Sequence, residues 1–355
     1  MRFPYSSERV GEHRDRTAED FIVQFDHPGP AEACRSSLGR SRLGVVSRSR
    51  NVTSLLSLDE SAYDTEPYGR DLQLALYVCY ELHYRGFIGV DDAWEWNPEL
   101  LRLRGRLEKK FMNALRADVE PGDNATAEIE ALSVESPDGS GPSYYLCDVG
   151  TWHQLQEYFV HRSVYHLKEA DPHAWAIPRL TGQAKASFVA VEFDEFGGGR
   201  GENVHQQLYA DLLDAAGLDS DYLAYLEIVP GESLALVNLM SLLGLHRSLR
   251  GAVVGHFAAT EITSSPGSRR LAQALERLDA PDECIRFYRE HVEADAVHEQ
   301  VLRHEVVGDL LAREPELESD VVFGIRAFDF LEEKLAALLM KSWTEGKCSL
   351  LEPIS

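Results

Sequence analysis

What most limits the fold of this chain is a missing pattern. Beyond Tyr144 no stretch alternates apolar and polar residues convincingly over more than a few positions, as a half-buried strand would. Apolar residues recur instead at three- and four-residue spacing, which marks one face of an α-helix. The pattern predicts helices over 151–170, 179–196, 203–216, 232–243, 246–264, 269–278, 282–311 and 320–339. Pro172 and Pro178 separate the first two, and Gly197-Gly198-Gly199 separates the second and third. Helices of this length and order predict an all-α bundle.

The earlier half is less uniform. Residues 1–56 hold scattered prolines and an Arg/Ser-rich run with no sustained period, so an irregular arm is expected. Residues 57–117 form a helical module. Leu72, Leu74, Leu76, Tyr77 and Tyr80 mark a buried helix, and Asn97-Pro98 opens another through Leu100, Leu103, Leu107, Phe111 and Leu115. Glu81 and His83 stand two apart and diverge on a helix, so both read as structural. Residues 118–143, rich in Pro, Gly, Ser and acids, read as a linker to a main domain over 144–345, with a tail over 346–355.

Composition narrows the function. The 355 residues carry a net charge of −24, which disfavours nucleic acid and anionic membranes as partners. The five cysteines are spread without a CxxC pair, which argues against a disulfide framework or a thiolate zinc site and favours a reducing cytoplasm. The first twenty residues are too charged for a signal peptide, and the apolar run near 234–245 is too short to span a bilayer. A cytoplasmic protein is expected.

Chemistry concentrates in Phe287 to Val306. His291, Asp295 and His298 are spaced by four and then three residues, placing two imidazoles and a carboxylate on one helical stripe. That donor set suits non-haem iron, and imidazole also suits zinc or copper; the plain alternative is a solvated acidic face. Glu169, Glu195, His205 and Glu261 sit in otherwise apolar or small-residue surroundings. Glu261 is the most conspicuous, because a buried carboxylate needs a cation or a full set of hydrogen bonds. Together these seven residues match the number of ligands a pair of iron ions needs inside a helical bundle. Arg179, Arg286 and Arg303 could hold a substrate carboxylate, although each reads more simply as a surface ion-pair partner.

The stretches KEADPHAWAIPRL and EFDEFGGGRGENVH, with Glu261 about thirty residues before HVEADAVH, resemble the heme-oxygenase-like diiron oxidases, or iron-containing redox enzymes. The resemblance covers about 152–339, and the helical module is similar to the N-terminal region of some members. It implies a heme-oxygenase-like bundle of about seven helices. It also implies two iron ions held by Glu169, Glu195, His205, Glu261, His291, Asp295 and His298, with Glu169 matching a ligand of only some members. Glu195, Glu261 and His298 would be the catalytic residues and dioxygen the co-substrate, reacting through a bridged peroxo-diferric species. Larger relatives carry a C-terminal cupin domain, and the expectation here is a chain without one.

The resemblance favours N-oxygenation of a small amino-acid-derived amine or guanidine in specialised metabolism. Oxidative desaturation or carbon–carbon cleavage of an amino acid or fatty acid is the alternative, and a metal-free interaction protein or an iron store is the non-enzymatic one. The expected partners are a small-molecule substrate, room for an external reductant, and a second copy in a homodimer. A ferritin-like site built on Glu202 and His205 fits less well, because Glu202 adjoins the glycine break and the His291–Asp295–His298 triple is unusual there.

Overall fold

The computed structural model describes residues 65–134 and 139–354, apart from the side chains of 293–297. The expected arm over 1–56 and the start of the helical module lie outside the described residues. Among the described residues there is no strand, and no helix is long and apolar enough to cross a membrane.

Helix α1, Arg70–Glu81, is buried on nearly every face, as its run of apolar residues requires. Helix α2, Pro98–Asp118, starts where Asn97 Oδ1 accepts from the amides of Glu99 and Leu100, with Pro98 in the first turn. It buries Leu100, Leu103, Leu107, Phe111 and Leu115. The segment read as a linker over 118–143 contains one short helix, α3 (Ala125–Leu132), and a second, α4 (Pro142–Asp148), starts at its end. Ala125 and Ile129 are buried in α3, so two apolar anchors sufficed where composition signalled only loop, and Leu146 anchors α4.

Helix α5, Trp152–His166, begins with a reciprocal capping box between Thr151 and Gln154. It stops earlier than its pattern suggests. Ala170 adopts φ +69°, and the chain turns through Leu167–Ala170 into the single turn α6, Asp171–Ala174. Helix α7, Gly182–Glu195, ends at three glycines that all have positive φ. A Cβ on Gly197 would sit 2.6 Å from the backbone of Asn203 and Val204, so the break closes on itself only with glycine there. Helix α8, His205–Ala215, follows.

Helix α9, Gly231–Leu245, is buried almost all round and forms the centre of the bundle, with α1 packed along it. Helix α10 runs unbroken from Arg250 to Arg277, where the sequence predicts two helices. Pro266 lacks the amide that would reach back to Ile262, and in isolation it should break the helix. Buried Leu271, Ala272, Ala274 and Leu275 hold the second half against the same core, and tertiary packing wins. Helix α11, Asp282–Val301, runs through a π-helical turn, Leu302–Val307, into α12, Gly308–Arg313. Helix α13, Glu318–Thr344, closes the bundle against α10. The two approach closely because Gly255 faces the Val321 carbonyl and Gly324 faces that of Ala252. The seven long helices from Trp152 onward, α5, α7, α8, α9, α10, α11 and α13, enclose the candidate site.

Candidate metal centre

Four helices and one turn converge beside α5 and bring six of the seven candidate ligands together in two groups. Glu169, Glu195, His205 and His291 each offer one ligand atom within 4.8 Å of the others, as do Glu195, Glu261 and His298. All six are buried, with Glu195 at 4% relative exposure and His298 at 2%. The side chain of Asp295 lies outside the described residues; its position on α11 falls one turn from both His291 and His298.

Glu195 belongs to both groups. Its Oε2 lies 2.8 Å from His205 Nδ1 and its Oε1 lies 3.8 Å from His298 Nδ1, so its two oxygens face opposite clusters. This is the disposition of a carboxylate able to bridge two cations. Glu261 Oε2, from the middle of α10, lies 2.9 Å from His298 Nδ1. The other ring nitrogen of His298 is 3.2 Å from Asp194 Oδ2, at the exposed side of α7. On the first side, Glu169 Oε1 is 2.9 Å from His166 Nδ1 and 3.6 Å from His291 Nε2.

The backbone orients one imidazole directly. His291 Nδ1 lies 2.8 Å from the carbonyl oxygen of Phe287 and donates to it. That bond places the proton on Nδ1 and leaves Nε2, the nitrogen facing Glu169, as the lone-pair atom a metal requires.

The electrostatics call for positive charge. Burial works to raise the Glu169 carboxyl, but His166 and His291 beside it hold it well below the usual carboxylate range. Burial works to lower His205, and Glu195 beside it raises it overall. Glu192, one turn before Glu195 on α7, is 2% exposed, and neither of its oxygens has a hydrogen-bond partner among the described residues. Burial, then the charges of Glu195 and Glu261, pushes its carboxyl well above the ordinary value. Four buried carboxylates with no lysine or arginine among the clustered groups form a donor set of oxygen and imidazole that suits iron and would be costly without a cation.

Sequence reasoning missed His166 and Glu192. His166 precedes Glu169 by three residues, a helical spacing that was available to be read; Glu192 sits in VEFDEF and looks there like one acid of an exposed face. The structure keeps Glu81 and His83 away from both clusters. Glu81 pairs with Lys168, and His83 faces Glu95 and Arg104. The three candidate arginines are engaged elsewhere: Arg179 with the Leu245 carbonyl, Arg286 with Asn203 and Arg303 with Glu130.

A cavity of about 520 Å³ reaches the first cluster, where His166, Glu169 and His291 form part of its wall. Leu236, Val237, Met240 and Phe287 supply apolar lining, while Thr263, Ser264, Gly267 and Ser268 of α10 leave room by being small.

Comparison with known proteins agrees with this architecture. A family model described as iron-containing redox enzyme matches residues 156–333, which contain all seven candidate ligands. The nitrosourea synthase of Streptomyces achromogenes subsp. streptozoticus is 25% identical over 249 residues, covering 65% of this chain and 53% of that protein. The chain thus spans about half the length of the curated relative it matches. With a heme-oxygenase-like all-helical fold around a buried Glu/His cluster able to bind metal, this chain belongs to the family of iron-containing redox enzymes and is an oxidoreductase.

Proposed function

We propose that this protein is a non-haem diiron oxygenase that uses dioxygen to oxidise the nitrogen of a small amino-acid-derived amine or guanidine. The observation that carries the reading is Glu195, whose two oxygens face His205 on one side and His298 on the other. Glu169, His205 and His291 would hold one ion, Glu261, His298 and Asp295 the other, and Glu195 both. When bound, the pair of ions supplies dioxygen activation and the oxidising equivalents for the reaction.

The remaining work falls to side chains of this chain. The hydrogen bond from His291 to the Phe287 carbonyl keeps its ring turned toward the first cluster. Phe287, Leu236, Val237 and Met240 exclude water from the cavity wall, which limits wasteful side reactions there. The opening at Glu169 and His291 directs a bound molecule toward the first cluster. The nitrosourea synthase relative supports a nitrogen substrate, since a nitrosourea carries an oxidised nitrogen.

The test is anaerobic loading with Fe(II), a count of iron per chain, and rapid mixing with dioxygen under optical detection. About two irons and a transient visible band, followed by hydroxylated amine or guanidine products in a mass-spectrometric screen, are expected. A product lacking two hydrogens or a carbon fragment would assign desaturation or cleavage instead. No bound iron, or unchanged behaviour after His298→Ala, would overturn the reading.

A further inference from the structure

The two histidines of α11 are held in opposite senses. His291 donates its Nδ1 proton to the Phe287 carbonyl at 2.8 Å, one turn back on its own helix, and turns Nε2 toward Glu169. His298 turns Nδ1 toward the second cluster, where Glu261 Oε2 lies at 2.9 Å and Glu195 Oε1 at 3.8 Å. Its Nε2 points the other way, to Asp194 Oδ2 at 3.2 Å.

Asp194 owes this contact to its place beside Glu195 on α7. Consecutive residues of a helix point about 100° apart. The Glu195 side chain therefore enters the bundle, at 4% exposure, while that of Asp194 emerges at its edge, at 57%. The His298 side chain, 3% exposed, meets one carboxylate with each of its nitrogens.

Pairing a side chain this exposed adds little to the stability of a fold. What the contact does fix is the state of a buried ring. A neutral imidazole carries one proton on two nitrogens, and the partner of one nitrogen decides which atom keeps a lone pair. Glu195 and Glu261 both stand on the Nδ1 side of His298, so Nδ1 is the atom that would share an ion with them. The proton then belongs on Nε2, where Asp194 is placed to accept it. Without that acceptor the ring is free to hold its proton on either nitrogen and to turn either one inward.

We propose that Asp194 is a positioning residue of the second site, which accepts the Nε2 proton of His298 and keeps the Nδ1 lone pair aimed at the ion. This rests on the diiron reading of Glu195, Glu261 and His298. The first site assigns the same task for His291 to a backbone carbonyl, so a side-chain change at Asp194 should reach one ion and not the other.

The test is anaerobic titration with Fe(II) against a competing chelator, which resolves how tightly each ion is held. Asp194→Ala should weaken one of the two by about 10–100-fold, the usual effect of losing a carboxylate behind a metal-bound histidine. Asp194→Asn, whose amide oxygen still accepts a proton, should recover part of that. In a His298→Ala background, Asp194→Ala should change nothing further, because it acts through the missing ring. Zn(II)-loaded protein with isotope-labelled histidine gives a second readout by nuclear magnetic resonance. There His298 should carry its proton on Nε2 and His291 on Nδ1. Metal-free Asp194→Ala should melt like native protein.

Unchanged affinity in Asp194→Ala, equal weakening of both ions, further weakening in the His298→Ala background, or a proton on Nδ1 of His298 would each overturn the proposal. So would slower loading to an undiminished affinity, which would make Asp194 an entry residue. Failure of the diiron reading shows separately, as native protein that binds no iron. Native protein that holds about two irons beside an indifferent Asp194→Ala fails only here.

Discussion

Lys168 Nζ lies 2.8 Å from Glu81 Oε2 across 87 residues of sequence, with the two side chains 1% and 0% exposed. Tyr222 donates to the same carboxylate at 2.9 Å, and the rings of Tyr77 and Tyr84 lie 4.0 and 4.6 Å from the ammonium. Lys168 immediately precedes Glu169, so consecutive residues on one turn face a buried ion pair and the first candidate metal cluster. Breaking such a pair leaves an uncompensated charge in the interior. Lys168→Met should therefore destabilise the fold by about 3–5 kcal/mol. Lys168→Met combined with Glu81→Gln should recover much of that loss. Denaturant melts of the two variants check it, and equal losses in both would refute the account.

Glu195 should be unlike every other candidate ligand. His205→Ala removes a donor from one cluster and His298→Ala from the other, so each should leave about one iron per chain. Glu195→Ala withdraws a donor from both and should leave well under one. Metal analysis after desalting reads this directly. Glu195→Ala protein that still binds about two irons would show that the carboxylate is not shared.

The crossing of α10 and α13 depends on having no side chain at Gly324, whose Cβ would meet the Ala252 carbonyl and lie 2.9 Å from His256 N. Both obstacles are backbone and cannot rotate away. Gly324→Ala should cost about 1–3 kcal/mol or more through overpacking. It should also disturb the cavity, because His256 and Phe328, whose rings are 5.3 Å apart, flank this crossing. Thermal melts give the first effect. A melting temperature within about a degree of native would contradict the predicted clash.

Asp329 gives a pH dependence whose sign is fixed. Its carboxyl is raised in the folded protein from 3.8 to about 7, so folding favours its protonated form. The stability it contributes is complete below pH 3.8 and is lost as pH rises through about 7. Asp329→Asn should therefore melt higher than native protein at pH 8, by on the order of 2 kcal/mol after allowing for its contact with water. The difference should shrink as pH falls toward 4. Melts of metal-free protein across that range check it, and a difference that grows toward low pH would contradict it.

Much of the bundle was legible because helical periodicity is a local property. The capped start at Asn97-Pro98, the stop at Gly197-Gly198-Gly199 and the stripe from His291 to His298 all lie within a few residues of what defines them. Glu261 stood out for the same reason, as a carboxylate among small and apolar neighbours. What stayed hidden depends on distant partners. The Lys168–Glu81 pair joins the turn after α5 to the end of α1, far away in sequence, and the burial of Glu192 follows from how α7 is rolled against the cluster. Helix α10 contradicts its own Pro266 only because the core holds both halves. Glu169 was singled out by its surroundings and given a ligand role by the resemblance, but its neighbour His166, which holds it in place, was not read from KEADPH.

Glu195 is the last residue of α7, and its position has a consequence for the life of the protein before any substrate arrives. The C-terminal end of a helix carries partial negative charge and favours a cation over a carboxylate. Placing Glu195 there, with Glu192 one turn back and Glu261 opposite, gathers negative charge in the newly folded chain, which a metal bound as proposed would relieve. On the proposed diiron reading, metal loading and folding would share one equilibrium. On that reading, chain produced under iron shortage should be softer and more readily degraded than the loaded protein, and metal supply would set how much of it survives as well as how much works.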